Sequence, residues 1–385
     1  MPFIPSLRLL LPLLMVASWS RISLAAQDTV PWAVADFQKA PPIEDTTDEA
    51  QPGLRSLYYE GAAYDGSPTS VYAYYGVPEG SPPDGGWPGV VLLHGGGGTA
   101  YPEWVHRWNA AGFAAIAMDL EGHQPGSAHT PTPRPGPNQK GNPADTLFAD
   151  QFIYHAVADG MLANSLLRSF PEINPEKVGV CGVSWGGVWT CILSGLDHRF
   201  AFAIPIYGCG FLNESTGLVH TLSRLPWDPS LFLPQAGCPL LFVNGTNDKN
   251  FPPPVWQKSV DAGVAPAQEL FLPGLSHSHP DAWAVPEPYV FARAVVEKRS
   301  IETHPATQRE GDRLSASLKT PASQATLWYT VDTTAFPERQ WQSAPADLTE
   351  SAASVTLPTG TTAAFFLLQD SEGLRQTSSL VFLQP

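Results

Sequence analysis

Residues 177–187, Lys177-Val-Gly-Val-Cys-Gly-Val-Ser-Trp-Gly-Gly187, decide how this chain is read. Lys177 to Cys181 is a short run of strand type, and Val188 to Gly195 has the character of a helix. Between them, Gly182-Val183-Ser184-Trp185-Gly186 fits G-x-S-x-G. A strand that turns straight into a helix forces the serine at the corner into a strained backbone conformation. It also leaves no room for side chains beside it, which is the steric reason for the glycines. The strain lifts the Ser184 hydroxyl above the sheet, next to the free N–H groups of a helix N-terminus. Such pentapeptides also occur by chance, so the reading depends on its surroundings.

Upstream, Val90-Val-Leu-Leu-His-Gly-Gly-Gly-Gly-Thr99 is an apolar strand-like run that ends in His94 and four glycines. Glycines let a backbone approach a substrate carbonyl closely. Gly96, together with Gly97, is expected to supply one side of the oxyanion-binding N–H groups and Trp185 the other. A phosphate-binding glycine loop fits less well, because no Gly-Lys-Ser/Thr follows and the spacing is not G-x-G-x-x-G. Downstream, the strand-like Pro239-Leu-Leu-Phe-Val-Asn-Gly-Thr-Asn-Asp248 ends in a turn and a carboxylate. Gln268-Glu-Leu-Phe-Leu-Pro-Gly-Leu-Ser-His277-Ser-His279 then ends in a loop with two histidines. Each candidate lies just past a predicted strand, where open α/β sheets place their sites. The chain order is Ser184, Asp248, His277. It suits a nucleophile, an acid that orients an imidazole, and a base, with His279 as the alternative base.

Length and composition bound the rest. The chain suits one large α/β domain and a smaller one. A net charge of −15 argues against nucleic acid and anionic membrane surfaces as partners. Arg8, the apolar stretch Leu9 to Trp19 and small residues at Ser23, Ala25 and Ala26 read as a signal peptide over residues 1–26. The stretch is too short to span a bilayer comfortably, so no membrane anchor is expected after cleavage and the mature chain is expected to be secreted or periplasmic. Of the four cysteines, Cys181 and Cys191 are expected as packed thiols, and Cys209 and Cys238 are the better disulfide candidates. No spacing resembles a zinc site, and no metal or other cofactor is expected.

Along the chain, an acidic lead-in over about 27–52 is expected to pack on the surface. Strand-like runs follow at Leu57-Tyr-Tyr-Glu-Gly61, Val71 to Val77, Gly89 to Leu93 and Phe113 to Leu120. Pro102 to Ala111 and Phe148 to Phe170 show helical spacing. Residues 122–142 form a Pro- and Gly-rich loop at the expected site face, and no carboxylate or cysteine cluster accompanies its His123 and His129. Residues 208–236 read as a further excursion over the site. A helix at Pro288 to Lys298 closes the 27–300 domain. Over 311–385 short alternating runs separated by turns signal a small β-sandwich. Its Trp328, Tyr329 and Trp341 tempt a carbohydrate-binding reading, but core packing and a domain contact are expected instead.

Taken together, the chain resembles the α/β-hydrolase superfamily. It looks most like an exported, acetylxylan-esterase-like group that also resembles dienelactone hydrolases and the catalytic domains of prolyl-oligopeptidase-type enzymes. The resemblance rests on His94-Gly-Gly-Gly-Gly-Thr-Ala100 with Glu103-Trp-Val105, Tyr154-His-Ala-Val-Ala158, Gly182-Val-Ser-Trp-Gly-Gly187, Ile206-Tyr-Gly-Cys-Gly-Phe211, Asn244-Gly-Thr-Asn-Asp248, and His277-Ser-His279 with Trp283. The tail looks like the immunoglobulin-like domain attached to some of these enzymes. The resemblance implies ester hydrolysis through Ser184, Asp248 and His277, with His94 and Trp283 near the substrate. A small acyl ester or an acetylated polysaccharide is the implied substrate. The alternatives are a prolyl-oligopeptidase-type peptidase, less expected because residues before 54 leave little room for the propeller or extended N-terminal domain of such enzymes, and a non-catalytic binding protein on a hydrolase scaffold.

Overall fold

A computed structural model of the chain describes residues 31–47, 50–122, 147–215, 227–301 and 303–383. The expected signal peptide, residues 123–142 of the first expected excursion with His123 and His129, and residues 216–226 of the second lie outside the described residues. Nine strands form the main sheet: β1 (Ile43–Thr46), β2 (Arg55–Tyr64), β3 (Ser67–Gly76), β4 (Trp87–Leu93), β5 (Ala114–Met118), β6 (Ile173–Val183), β7 (Ala203–Ile206), β8 (Leu240–Gly245) and β9 (Ala267–Leu272). Their spatial order is β1-β2-β3-β5-β4-β6-β7-β8-β9. The pairings from β5 through β9 are parallel, and the first three strands join antiparallel. Every residue of β5 and β8 is buried, which is why β5 and the Leu240–Val243 part of β8 read as continuous apolar runs rather than alternating ones.

The helices are α1 (Pro102–Ala110), α2 (Phe152–Ser169), α3 (Trp185–Leu196), α4 (Pro253–Ala262), α5 (His279–Ala284) and α6 (Glu287–Val296). Trp108 of α1 meets Tyr289 of α6, with ring centroids 4.7 Å apart, and stacks on Phe202 at 6.4 Å. The expected helices and inner strands are found within a few residues of their sequence bounds. Three of these strands and helices were not read from the sequence. β1 is an exposed edge strand with a single apolar residue, so it has no periodicity to detect; its pairing with β2 defines it. α4 opens on Pro253-Pro254, which reads as a turn. Proline is tolerated in a first helical turn because its missing N–H would have no intrahelical partner there. α5 begins at His279 itself.

The C-terminal residues form two antiparallel sheets. The strands are β10 (Thr307–Glu310), β11 (Arg313–Ser317), β12 (Gln324–Thr330), β13 (Gln342–Pro345), β14 (Asp347–Leu348), β15 (Ala352–Thr356), β16 (Ala363–Gln369), β17 (Arg375–Thr377) and β18 (Val381–Phe382). One sheet runs β10-β11-β15-β14. The other runs β13-β12-β16-β17, with β18 also on β16. Strand pairing thus begins at Thr307, ahead of residue 311. Leu314, Leu327, Ala353 and Phe366 form a core of their own. The next residue along β16, Phe365, points the other way and packs on Phe271 of β9, with centroids 5.0 Å apart. Trp341 joins that contact at 6.0 Å from Phe271, and Trp328 packs against the same main core. Thr377 Oγ1 donates to the Glu269 carbonyl and accepts the Phe271 N–H, so polar groups of β9 are covered rather than left open. Arg375 closes the contact with a fork to the buried Glu287, at 2.7 and 3.0 Å.

All four cysteines are free and buried. The expected pairing of Cys209 with Cys238 is not made: Cys209 lies near Cys191 and Ser259, while Cys238 lies near Asp197. Burial pushes the Cys238 thiol up to about 12, so it behaves as a small apolar side chain.

Candidate active site

Ser184 stands at the corner between β6 and α3 with φ +59° and ψ −116°, a region that non-glycine residues rarely adopt. Its N–H donates to the Ile206 carbonyl at 2.8 Å, which ties the strained corner to β7. The two flanking glycines are required by close approach. A Cβ at Gly182 would run into the Gly186 carbonyl, and one at Gly186 into the carbonyls of Leu93 and His94. The corner is therefore packed against the end of β4, where the glycine loop begins.

The structure brings the three candidates from distant parts of the chain into one line. Ser184 Oγ is 2.9 Å from His277 Nε2, and His277 Nδ1 is 2.7 Å from Asp248 Oδ2. Asp248 is 3% exposed, and its other oxygen accepts the N–H groups of Asn250 at 2.8 Å and Phe251 at 2.9 Å. Those two donors orient the carboxylate and compensate its burial. His277 lies between two aromatic rings, stacked on Tyr207 at 4.6 Å and on Phe251 at 6.1 Å. Tyr207 is itself held at φ +56°, and its hydroxyl donates to the Ser276 carbonyl at 2.6 Å. Tyr207 and Phe251 were not singled out from the sequence. Their places just past β7 and just past Asp248 are the only signal, and aromatic residues are common at such positions.

The glycine loop can be accounted for amide by amide. The Gly95 N–H donates to His279 Nε2 at 2.9 Å, the Gly97 N–H to Glu121 Oε1 at 2.7 Å, and the Gly98 N–H to the Gly95 carbonyl at 3.0 Å. Among the described residues the exposed Gly96 has no partner for its N–H, and neither has Trp185 at the first turn of α3. Gly96 also lies against Trp185: a Cβ there would come 2.9 Å from Trp185 Cδ1. Gly97, expected beside Gly96 as a further donor, already gives its N–H to the Glu121 carboxylate. Glu121 is a further residue missed from the sequence, although it lies three residues past the end of β5.

Two expected substrate contacts are corrected. His94 is 1% exposed; its Nε2 accepts the Leu120 N–H at 2.8 Å and its Nδ1 lies 2.7 Å from the Gly95 carbonyl. It organises the loop from beneath. Trp283 is 5% exposed and packs on Tyr101 at 5.1 Å and Trp104 at 5.8 Å, so it is a wall behind the site. His279 touches the glycine loop, whereas the nitrogen facing Ser184 belongs to His277.

Comparison with known proteins agrees with this architecture. A family model described as acetyl xylan esterase (AXE1) matches residues 44–217. The acetyl xylan esterase from Paenibacillus sp. R4 superposes with a TM-score of 0.56 at 19% identity, over 75% of this chain and 100% of that one. Acetyl xylan esterase 1 from Thermoanaerobacterium sp. JW/SL YS485 does so with a TM-score of 0.56 at 16% identity, over 72% and 94%. Among curated proteins none matches the chain by sequence. Fold and family match together define a carboxylic ester hydrolase of the α/β-hydrolase superfamily. Within that superfamily the chain resembles the acetyl xylan esterases.

Proposed function

We propose that this chain is an exported serine esterase that removes small acyl groups, acetyl foremost, from a polysaccharide. The observation that carries the chemistry is the unbroken line from Ser184 Oγ through His277 to Asp248, at 2.9 and 2.7 Å. Ser184 Oγ attacks the ester carbonyl while His277 Nε2 takes its proton, and Asp248 holds the imidazole with Nδ1–H toward the carboxylate. The carbonyl oxygen gains the negative charge and lies between the N–H groups of Gly96 and Trp185. Collapse of this intermediate breaks the bond to the alcohol, which leaves with the proton from His277. Water then attacks the acyl-serine, gives a proton to His277, and the acid is released as Ser184 recovers its own. The polysaccharide is supported by the acetyl xylan esterase match over residues 44–217, and export by the leader-like residues 1–26.

The test is hydrolysis of p-nitrophenyl acetate and release of acetate from acetylated xylan, with Ser184→Ala beside the native chain. Turnover of both by the native chain alone is expected. Turnover of the small ester without xylan removes the polysaccharide assignment, and failure on both, with Ser184 unlabelled by a fluorophosphonate, removes the esterase. For export, the mature N-terminus is expected at Ala26 or Gln27, and retention of Met1 on the mature chain removes that part.

A further inference from the structure

Two histidines two residues apart enter this site, and they face different groups. His277 turns Nε2 to Ser184 Oγ, and His279 turns Nε2 to the backbone of Gly95. A nitrogen that accepts an N–H carries no proton, so the proton of His279 sits on Nδ1 and its lone pair is already engaged. Gly95 is buried, and a buried N–H without an acceptor is costly. It is also the residue through which the loop touches the nucleophile: a Cβ there would lie 2.8 Å from Ser184 Cβ and 3.3 Å from His279 Cε1. The next amide along, Gly96, has no partner for its N–H among the described residues.

We propose that His279 is a positioning residue, which holds the glycine loop by accepting the Gly95 N–H and so aims the Gly96 N–H at the developing oxyanion. The proposal rests on Ser184 being the nucleophile. The ring is fixed at both ends. It starts α5, where Ser278 caps the helix by accepting the Asp281 N–H at 3.1 Å. It also packs on Tyr101 at 4.8 Å and Trp283 at 5.9 Å, with Trp283 backed by Trp104. The titratable neighbours are His94, His277 and Tyr101 around the ring, and Asp281 on its own helix. Burial, reinforced by His94 and His277, lowers the His279 pKa to about 4, so the ring remains a neutral acceptor while His277 cycles its proton.

The test compares His279→Gln, whose side-chain oxygen can accept the Gly95 N–H, with His279→Leu, which cannot. A misplaced oxyanion donor is expected to lower kcat of His279→Leu by about 10- to 100-fold with KM nearly unchanged, and His279→Gln is expected to recover most of the loss. Wild-type kcat in His279→Leu overturns the proposal, as does a raised KM with kcat intact, which indicates a substrate contact. Both variants as inactive as His277→Ala also overturn it, since His279 is then part of the proton relay. If His279→Leu does not fold, His279→Gln decides: near-native kcat supports the acceptor role, and loss comparable to His277→Ala overturns it. A native chain that neither turns over ester nor labels at Ser184 overturns the esterase reading and this proposal with it. A native chain that does both, beside a fully active His279→Leu, overturns this proposal alone.

Discussion

Replacing Asp248 by asparagine tests the site with almost no change of shape. One carboxylate oxygen accepts the N–H groups of Asn250 and Phe251, and the other faces His277 Nδ1 at 2.7 Å. In Asp248→Asn the amide oxygen keeps the two backbone donors, because turning the NH2 toward them would sacrifice both bonds. At about 1 kcal/mol each, that preference is about 2 kcal/mol, or roughly thirtyfold. The NH2 is then aimed at Nδ1, which must become an acceptor. The imidazole proton moves to Nε2, the atom 2.9 Å from Ser184 Oγ, and can no longer receive the serine proton. Loss of the negative charge beside the imidazolium adds to this. The expected loss in kcat is about 10⁴-fold, or about 5.4 kcal/mol, with KM and Tm little changed. The assay is turnover of p-nitrophenyl acetate, with circular dichroism to establish folding. A folded Asp248→Asn that keeps kcat within about tenfold of the native chain refutes the relay reasoning.

Other outcomes follow from the packing. Gly186→Ala puts a methyl into the end of β4 and should cost about 2 kcal/mol or more, read as a lower Tm together with lost fluorophosphonate labelling. Arg375→Ala strands Glu287, which is 6% exposed, and should lower stability by about 1–3 kcal/mol while turnover of a small ester is unchanged. Glu269 lies at the contact with the C-terminal sheets, 1% exposed, and burial raises its carboxyl from 4.5 to about 8. The folded chain therefore holds a proton there that the unfolded chain releases above its own carboxylate range. Stability falls as pH rises between about 5 and 8, since the unfolded state binds fewer protons in that window. Glu269→Gln should flatten that decline in a Tm-against-pH series, and an unchanged slope would assign it to other groups.

The sequence by itself determined the class of fold and pointed to the three side chains that the structure brings into one line, Ser184, His277 and Asp248. Ser184, Asp248 and the His277-Ser-His279 pair each lie within a few residues of the end of an apolar run, and a parallel sheet brings the ends of such strands to one rim. The strained corner was legible because only glycine fits at 182 and 186, and the inner strands because burial on both faces leaves an unmistakable apolar composition. What the sequence left open was direction. His277 and His279 are the same residue type two positions apart, and only the chain path into α5 turns one toward Ser184 and the other toward Gly95. Gly96 and Gly97 are likewise identical in sequence. Glu121, far from both in the chain, consumes the N–H of one and leaves the other. Phe365 and Phe366 divide between the contact with β9 and the sandwich core in the same way. Composition and local pattern are properties of neighbouring residues, whereas the choice of hydrogen-bond partner depends on groups that meet only after long loops have closed, and that choice belongs to the tertiary structure.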